Sequence, residues 1–293
     1  MHTDIIIRNI SDRLKSLPIK VKAAAIYGSW AKGTQKEDSD IDILMIADEV
    51  NSKKQKRGSE IATIKEHISL DYPLDILLLK TEECISNFKN HNPLFLDIAC
   101  EGIVLLDESD FLKSLIEETN AYISERKLIK LEDGWEFPVT DRVPVCLSNI
   151  SNKDFALVML TDGERDFEIA VKILESGYFD KAVYHFQQSV EKAVKAILIC
   201  FGIFKKTHFV GEILKREIEK RELDYNWKGK LVQISRLSSE IESEVTWSRY
   251  PGIDKDALWI PYEEYTAEDA NRTKEKCKQG VKIAKEFFEW WFR

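Results

Sequence analysis

The feature that most restricts what this chain can fold into is Gly28-Ser29, followed after ten intervening residues by Asp40-Ile41-Asp42. The Asp-x-Asp pair opens an apolar run over 41–47, and on a strand residues two apart share a face. Both carboxylates therefore project from one side while Ile41, Ile43 and Met45 pack on the other. Neighbouring carboxylates repel each other, and the arrangement becomes favourable when a cation lies between them. Hard oxygen donors select Mg²⁺ or Mn²⁺. A third carboxylate, Asp75, falls near the start of a second apolar run over 74–79, where an unpaired charge would be costly. Asp71 competes for this role, but it lies just before Pro73 and reads as part of the turn ahead of the strand. Three carboxylates can hold two metal ions.

Gly28 ends a strand and opens a helix, so backbone N–H groups there, with the Ser29 hydroxyl, can cradle a triphosphate. In such a site one ion orients the β- and γ-phosphates. The other lowers the pKa of an acceptor hydroxyl for in-line attack on the α-phosphorus, and pyrophosphate leaves.

The surrounding pattern is mixed α/β. An amphipathic segment over 4–17 precedes short apolar runs over 21–27, 41–47, 74–79 and 103–106, with helical patterns over 59–70 and 93–100. Strands separated by helices imply helices layered on a small sheet. Pro138 and Pro144, with Asp133, Gly134 and Asn149, mark an irregular connector. The expected division is a catalytic domain over 1–130, a connector over 131–152 and a helical domain over 153–293. Amphipathic helices are expected over 153–176, 179–201, 207–223, 229–247 and 266–292, which together read as an antiparallel bundle.

The first hundred or so residues resemble the minimal nucleotidyltransferases of the DNA polymerase β-like superfamily, a group that includes antitoxin members of toxin-antitoxin pairs and the kanamycin nucleotidyltransferases. The resemblance rests on Gly28-Ser29, Ala31, Gly33, Asp40-Ile41-Asp42 and Asp75. It implies that Asp40, Asp42 and Asp75 are catalytic metal ligands and that Gly28, Ser29, Lys32, Gly33 and Ser39 bind the nucleotide. Where many relatives carry Arg, this chain has Trp30 and Lys32. Lys32 keeps a cation for phosphate, and Trp30 is suited to packing or stacking.

The second half resembles HEPN domains, through 164–170, through the 182–196 segment that contains His185, and through Thr246-Trp247-Ser248-Arg249-Tyr250-Pro251. HEPN ribonucleases carry an Arg followed by a His after four to six residues, and none of the five histidines here has an arginine at that spacing. RNA cleavage is therefore not expected. His185 reads as a packing histidine and His208 as a helix cap. Arg249 and Tyr250 are candidate contacts for a nucleotide or acceptor. The aromatic 287–292 tail is expected to close the bundle or to form a dimer contact.

The fold class expected is thus an α+β nucleotidyltransferase domain followed by an all-α HEPN-type bundle. The activity expected is metal-dependent transfer of NMP, from ATP above all, to a hydroxyl on a small molecule, protein or RNA. The helical half is expected to supply acceptor contacts, and a homodimer is the expected assembly. The alternative is a nucleotide-binding regulatory or antitoxin-like module. A net charge of −8 argues against broad polyanion binding. Five scattered cysteines suggest neither a disulfide framework nor zinc. With no signal segment and no apolar run long enough to span a bilayer, a cytoplasmic location is expected.

Overall fold

The computed structural model describes residues 2–147 and 149–293. Its contacts divide the chain into two units, Met1–Lys127 and Leu128–Arg293.

The first unit runs α1 (His2–Leu14), β1 (Ala23–Tyr27), α2 (Gly28–Lys32), β2 (Ile41–Ile46), α3 (Gly58–Ile68), β3 (Leu74–Leu79), α4 (Thr81–Lys89), α5 (Pro93–Glu101), β4 (Ile103–Asp107) and α6 (Phe111–Arg126). The four strands form one mixed sheet in the order β3-β2-β1-β4. β1 is antiparallel to both β2 and β4, and β2 is parallel to β3 across the α3 crossover. Both faces are covered, as a sheet with a parallel pair requires. One face buries Ala24, Ile26, Ile41, Ile43, Met45, Ile76 and Leu78 against α1 and α3. The other buries Ala23, Ala25, Leu44, Ile46 and Leu79 against α4, α5 and α6. Ala23, Ala24 and Ala25 are wholly buried, and their small side chains let helices approach the central strand closely from both sides.

An ion pair between buried Arg57 and half-buried Glu83 clamps the far end of this sheet. Arg57, 1% exposed, donates to both carboxylate oxygens of Glu83 at 2.6 and 3.0 Å, and also to the backbone carbonyls of Leu78 and Asn51.

The second unit runs β5 (Ile129–Leu131), β6 (Gly134–Glu136), α7 (Asn152–Glu175), α8 (Phe179–Cys200), β7 (Ile203–Lys205), α9 (Gly211–Glu219), α10 (Tyr225–Ser239), α11 (Glu244–Trp247), β8 (Gly252–Asp254), β9 (Ala257–Trp259), α12 (Pro261–Glu264) and α13 (Ala267–Trp291). α8 is the spine of the bundle, buried on nearly every side between α7, α13 and the shorter helices. Part of the segment read as an irregular connector is ordered. β5 and β6 form a hairpin on which β7 adds a third antiparallel strand, so these residues belong to the helical unit. Three-residue strands are too short to show alternation, and the partner of β6 lies some seventy residues downstream.

Two helix expectations change. The pattern over 229–247 is broken after α10, because Glu242 turns inward to accept the backbone N–H groups of Val210 and Gly211 at 2.7 and 2.6 Å. That carboxylate caps α9, whereas His208 lies outside the helix with Nδ1 3.0 Å from Glu191. His185 is a partnered histidine, its Nδ1 3.3 Å from Asp166, which Lys192 holds in turn at 2.6 Å. The aromatic tail closes the bundle: Phe287 and Trp291 are buried and pack edge-on against Phe201. Among the described residues, no helix is long and apolar enough to cross a membrane.

Candidate active site

The site lies where β1 ends and β2 and β3 begin. Strand register explains its composition. Antiparallel pairing puts Tyr27 opposite Asp42, and parallel pairing puts Asp42 opposite Asp75, so the three share one cross-strand row. Farther along the same face the row is filled by buried Leu44 and Ile46, and the carboxylates occur only at the strand ends, where solvent reaches. Asp40 precedes β2 by one residue and, at a period of two, projects from the face of Asp42.

The result is a cluster. Asp40, Asp42 and Asp75 each present one carboxylate oxygen, and these oxygens all lie within 4.8 Å of one another. Asp40 and Asp75 are exposed, while Asp42 is half-buried. At 4.8 Å, each pair of charges repels by roughly 1–3 kcal/mol between the fully solvated and surface-like limits. Three carboxylate oxygens gathered this closely are the kind of hard donor set that divalent cations take, and the open side leaves room for water or phosphate ligands. Burial, and then the charges of Asp42, Asp75 and Asp40, push the neighbouring Tyr27 phenol far above its usual pKa, so this hydroxyl stays protonated beside the cluster.

Gly28 faces Asp42 directly. Its φ of +69° is one that glycine tolerates, and a Cβ there would lie 2.9 Å from Cγ of Asp42 and closer still to Oδ2. The glycine thus makes the space in which the central carboxylate sits. Ser29 opens α2, and its hydroxyl has no hydrogen-bond partner among the described residues. Gly33 ends α2 in a left-handed cap at φ +70°, donating its N–H to the Ser29 carbonyl.

The remaining expected site residues are placed as follows. Lys32 pairs with Glu101 at 3.4 Å. Ser39 closes a turn, its hydroxyl accepting the Lys36 N–H at 2.8 Å. Trp30 is 3% exposed, donates Nε1–H to the Ser39 carbonyl at 3.2 Å and packs edge-on against Tyr72. Arg249 and Tyr250 belong to the second unit, where the guanidinium stacks over the rings of Tyr184 and Tyr250 at 5.3 and 4.9 Å. Sequence reasoning missed Tyr27, Tyr72 and Glu101. Tyr27 alone left a local signal, since it is the third alternate residue of an apolar run that ends at Gly28.

The profile of the nucleotidyltransferase domain family matches residues 7–105. The profile of the HEPN domain family matches residues 156–293. A Methanocaldococcus jannaschii protein named "Putative toxin MJ1304" is 33% identical over 138 residues, covering 47% of this chain and 91% of that one. A second protein of that organism, named "Putative protein adenylyltransferase MJ1305", is 26% identical over 118 residues, covering 40% of this chain and 80% of its own. Among solved structures, an archaeal HEPN homologue shares 26% identity at a TM-score of 0.35, covering 45% of this chain and 97% of that one.

The chain carries a nucleotidyltransferase domain followed by a HEPN domain, and it is an enzyme of the nucleotidyltransferase class.

Proposed function

We propose that the protein transfers AMP from ATP to a hydroxyl group, on a protein in preference to a small molecule or RNA, with Mg²⁺ or Mn²⁺ held by Asp40, Asp42 and Asp75. The observation that carries this reading is the convergence of three carboxylate oxygens within 4.8 Å, next to the Gly28-Ser29 turn. The choice of AMP and of a protein acceptor is supported by two Methanocaldococcus jannaschii relatives named "Putative protein adenylyltransferase MJ1305" and "Putative protein adenylyltransferase MJ1379".

When bound, the metal neutralises the triphosphate and lowers the pKa of the acceptor hydroxyl. Asp40, Asp42 and Asp75 supply the charge that holds it. Gly28 and Ser29 cradle phosphate oxygens, with Lys32 as the nearby cation. Gly33 and Ser39 serve the nucleotide side by fixing the ends of α2 and of the loop before β2. The acceptor oxygen forms a bond to the α-phosphorus, the bond to the bridging α,β-oxygen breaks, pyrophosphate departs, and the hydroxyl proton passes to water. Tyr27, kept neutral beside the carboxylates, can donate a hydrogen bond in the site.

A second reading is a nucleotide-binding regulatory or antitoxin-like module. One experiment separates the two. The full chain, incubated with ATP labelled on the α-phosphate, Mg²⁺ and a cell extract, should transfer label to protein and release pyrophosphate stoichiometrically. Tight ATP binding with no pyrophosphate release under any acceptor condition would favour the regulatory reading.

A further inference from the structure

Three separate segments carry the site, and one side chain links all three. Trp30 lies on α2, directly after Gly28 and Ser29. Its indole Nε1–H donates to the Ser39 carbonyl at 3.2 Å, one residue before Asp40. Its ring meets Tyr72 edge-on, with centroids 4.9 Å apart and an interplanar angle of 77°, three residues before Asp75. The two outer segments are also tied to each other, because the Ile41 N–H donates to the Pro73 carbonyl at 2.8 Å.

A buried indole N–H needs an acceptor, and here the acceptor is a carbonyl of the loop that leads into Asp40. Asp40 is exposed and lies outside the β2 ladder, and its approach is fixed by the Lys36–Ser39 turn and by this indole. Asp42, by contrast, is held by pairing on both sides. At 3% exposure the indole is shielded from water that would compete for the Ser39 carbonyl.

We infer that Trp30 is a positioning residue for the metal site: through the Ser39 carbonyl it sets where the Asp40 carboxylate stands, and through Tyr72 it holds the approach to Asp75. This rests on the metal-dependent transferase reading. A residue with that role acts on cation affinity before it acts on chemistry. Removing the indole N–H while keeping an aromatic ring should therefore weaken metal binding and leave the fold in place.

The test uses the full chain without nucleotide and measures Mn²⁺ affinity by electron paramagnetic resonance, with thermal unfolding alongside. Trp30→Phe should bind Mn²⁺ about three- to tenfold more weakly, the span expected for loss of one net hydrogen bond. The Mg²⁺ concentration giving half-maximal turnover should rise by the same factor. Tyr72→Ala should weaken Mn²⁺ binding in the same direction, and Tyr72→Phe, which keeps the ring, should not. Should Trp30→Phe fail to fold, the Tyr72 pair carries the test alone. Wild-type Mn²⁺ affinity in folded Trp30→Phe, or equal affinity in the two Tyr72 variants, would overturn the inference. Asp40→Asn is the reference: if it too binds Mn²⁺ like wild type, the carboxylate site itself is misassigned and the failure lies there.

Discussion

Gly28 and Gly33 bracket the five-residue helix α2 with nearly identical left-handed φ angles, +69° and +70°, yet their surroundings differ. An added methyl on Gly33 meets nothing within 4 Å. On Gly28 it falls 2.9 Å from Cγ of Asp42, well inside van der Waals contact. Alanine at either position therefore carries the same backbone penalty, roughly 1–2 kcal/mol for a non-glycine residue in this conformation. Only Gly28→Ala adds a collision, and the colliding group is the carboxylate of Asp42, the central one of the three. Asp42 is paired with Tyr27 on one side and Asp75 on the other, so the strand cannot yield and the side chain must rotate away. Displacement of a catalytic group by about 1 Å costs on the order of 10²-fold in rate. The expected outcome is that both variants lose a few degrees of Tm, that Gly33→Ala keeps turnover within about threefold of wild type, and that Gly28→Ala loses about a hundredfold. Pyrophosphate release from ATP in Mg²⁺, read beside thermal unfolding, makes the comparison. Equal turnover in the two alanine variants would refute the claim that Gly28 is there to make room for Asp42.

Asp40→Asn and Asp42→Asn should each lower triphosphate turnover by on the order of 10³-fold with little change in Tm, because each removes a ligand charge while preserving shape; wild-type rates with normal metal dependence in Asp42→Asn would contradict this. Chelation with EDTA should abolish turnover, and adding Mg²⁺ or Mn²⁺ should restore it and raise the unfolding temperature of the first unit by mass action. At the Arg57 clamp, burial raises the Glu83 carboxyl, but hydrogen bonds from Arg57 and the Lys80 N–H, with the Arg57 charge, outweigh it and hold the group below its usual pKa. The pair therefore contributes stability above the ordinary glutamate range, and this is lost as pH falls through the lower native value. Glu83→Gln, which leaves Arg57 buried without its partner, should cost roughly 3–5 kcal/mol near neutrality and flatten the acid limb of a stability-versus-pH curve; an unchanged acid limb would count against it. The purified protein should leave RNA intact, and RNA cleavage abolished by Arg249→Ala would contradict this expectation.

Local patterns carried much of this molecule. The Gly28-Ser29 turn, Asp40-Ile41-Asp42 and Asp75 were legible because a glycine at a strand end and a two-residue alternation are written in adjacent positions, and β3 lies where its apolar run indicated. The long helices of the second unit were legible for the same reason, since a 3.6-residue period sustained over α7, α8 and α13 needs no partner to be seen. What tertiary structure alone decided is which distant residues meet. The parallel register of β2 with β3 determines that Asp75 stands opposite Asp42, and the antiparallel register of β1 adds Tyr27 to the row. Trp30 spans to Ser39 and Tyr72, Lys32 is engaged by Glu101, and Glu242 reaches back to cap α9 and breaks what reads as one continuous helix. The physical reason is the same in each case. A strand or helix announces itself through interactions between near neighbours within one element, whereas a contact between residues on different segments exists only once the fold has brought those segments within reach.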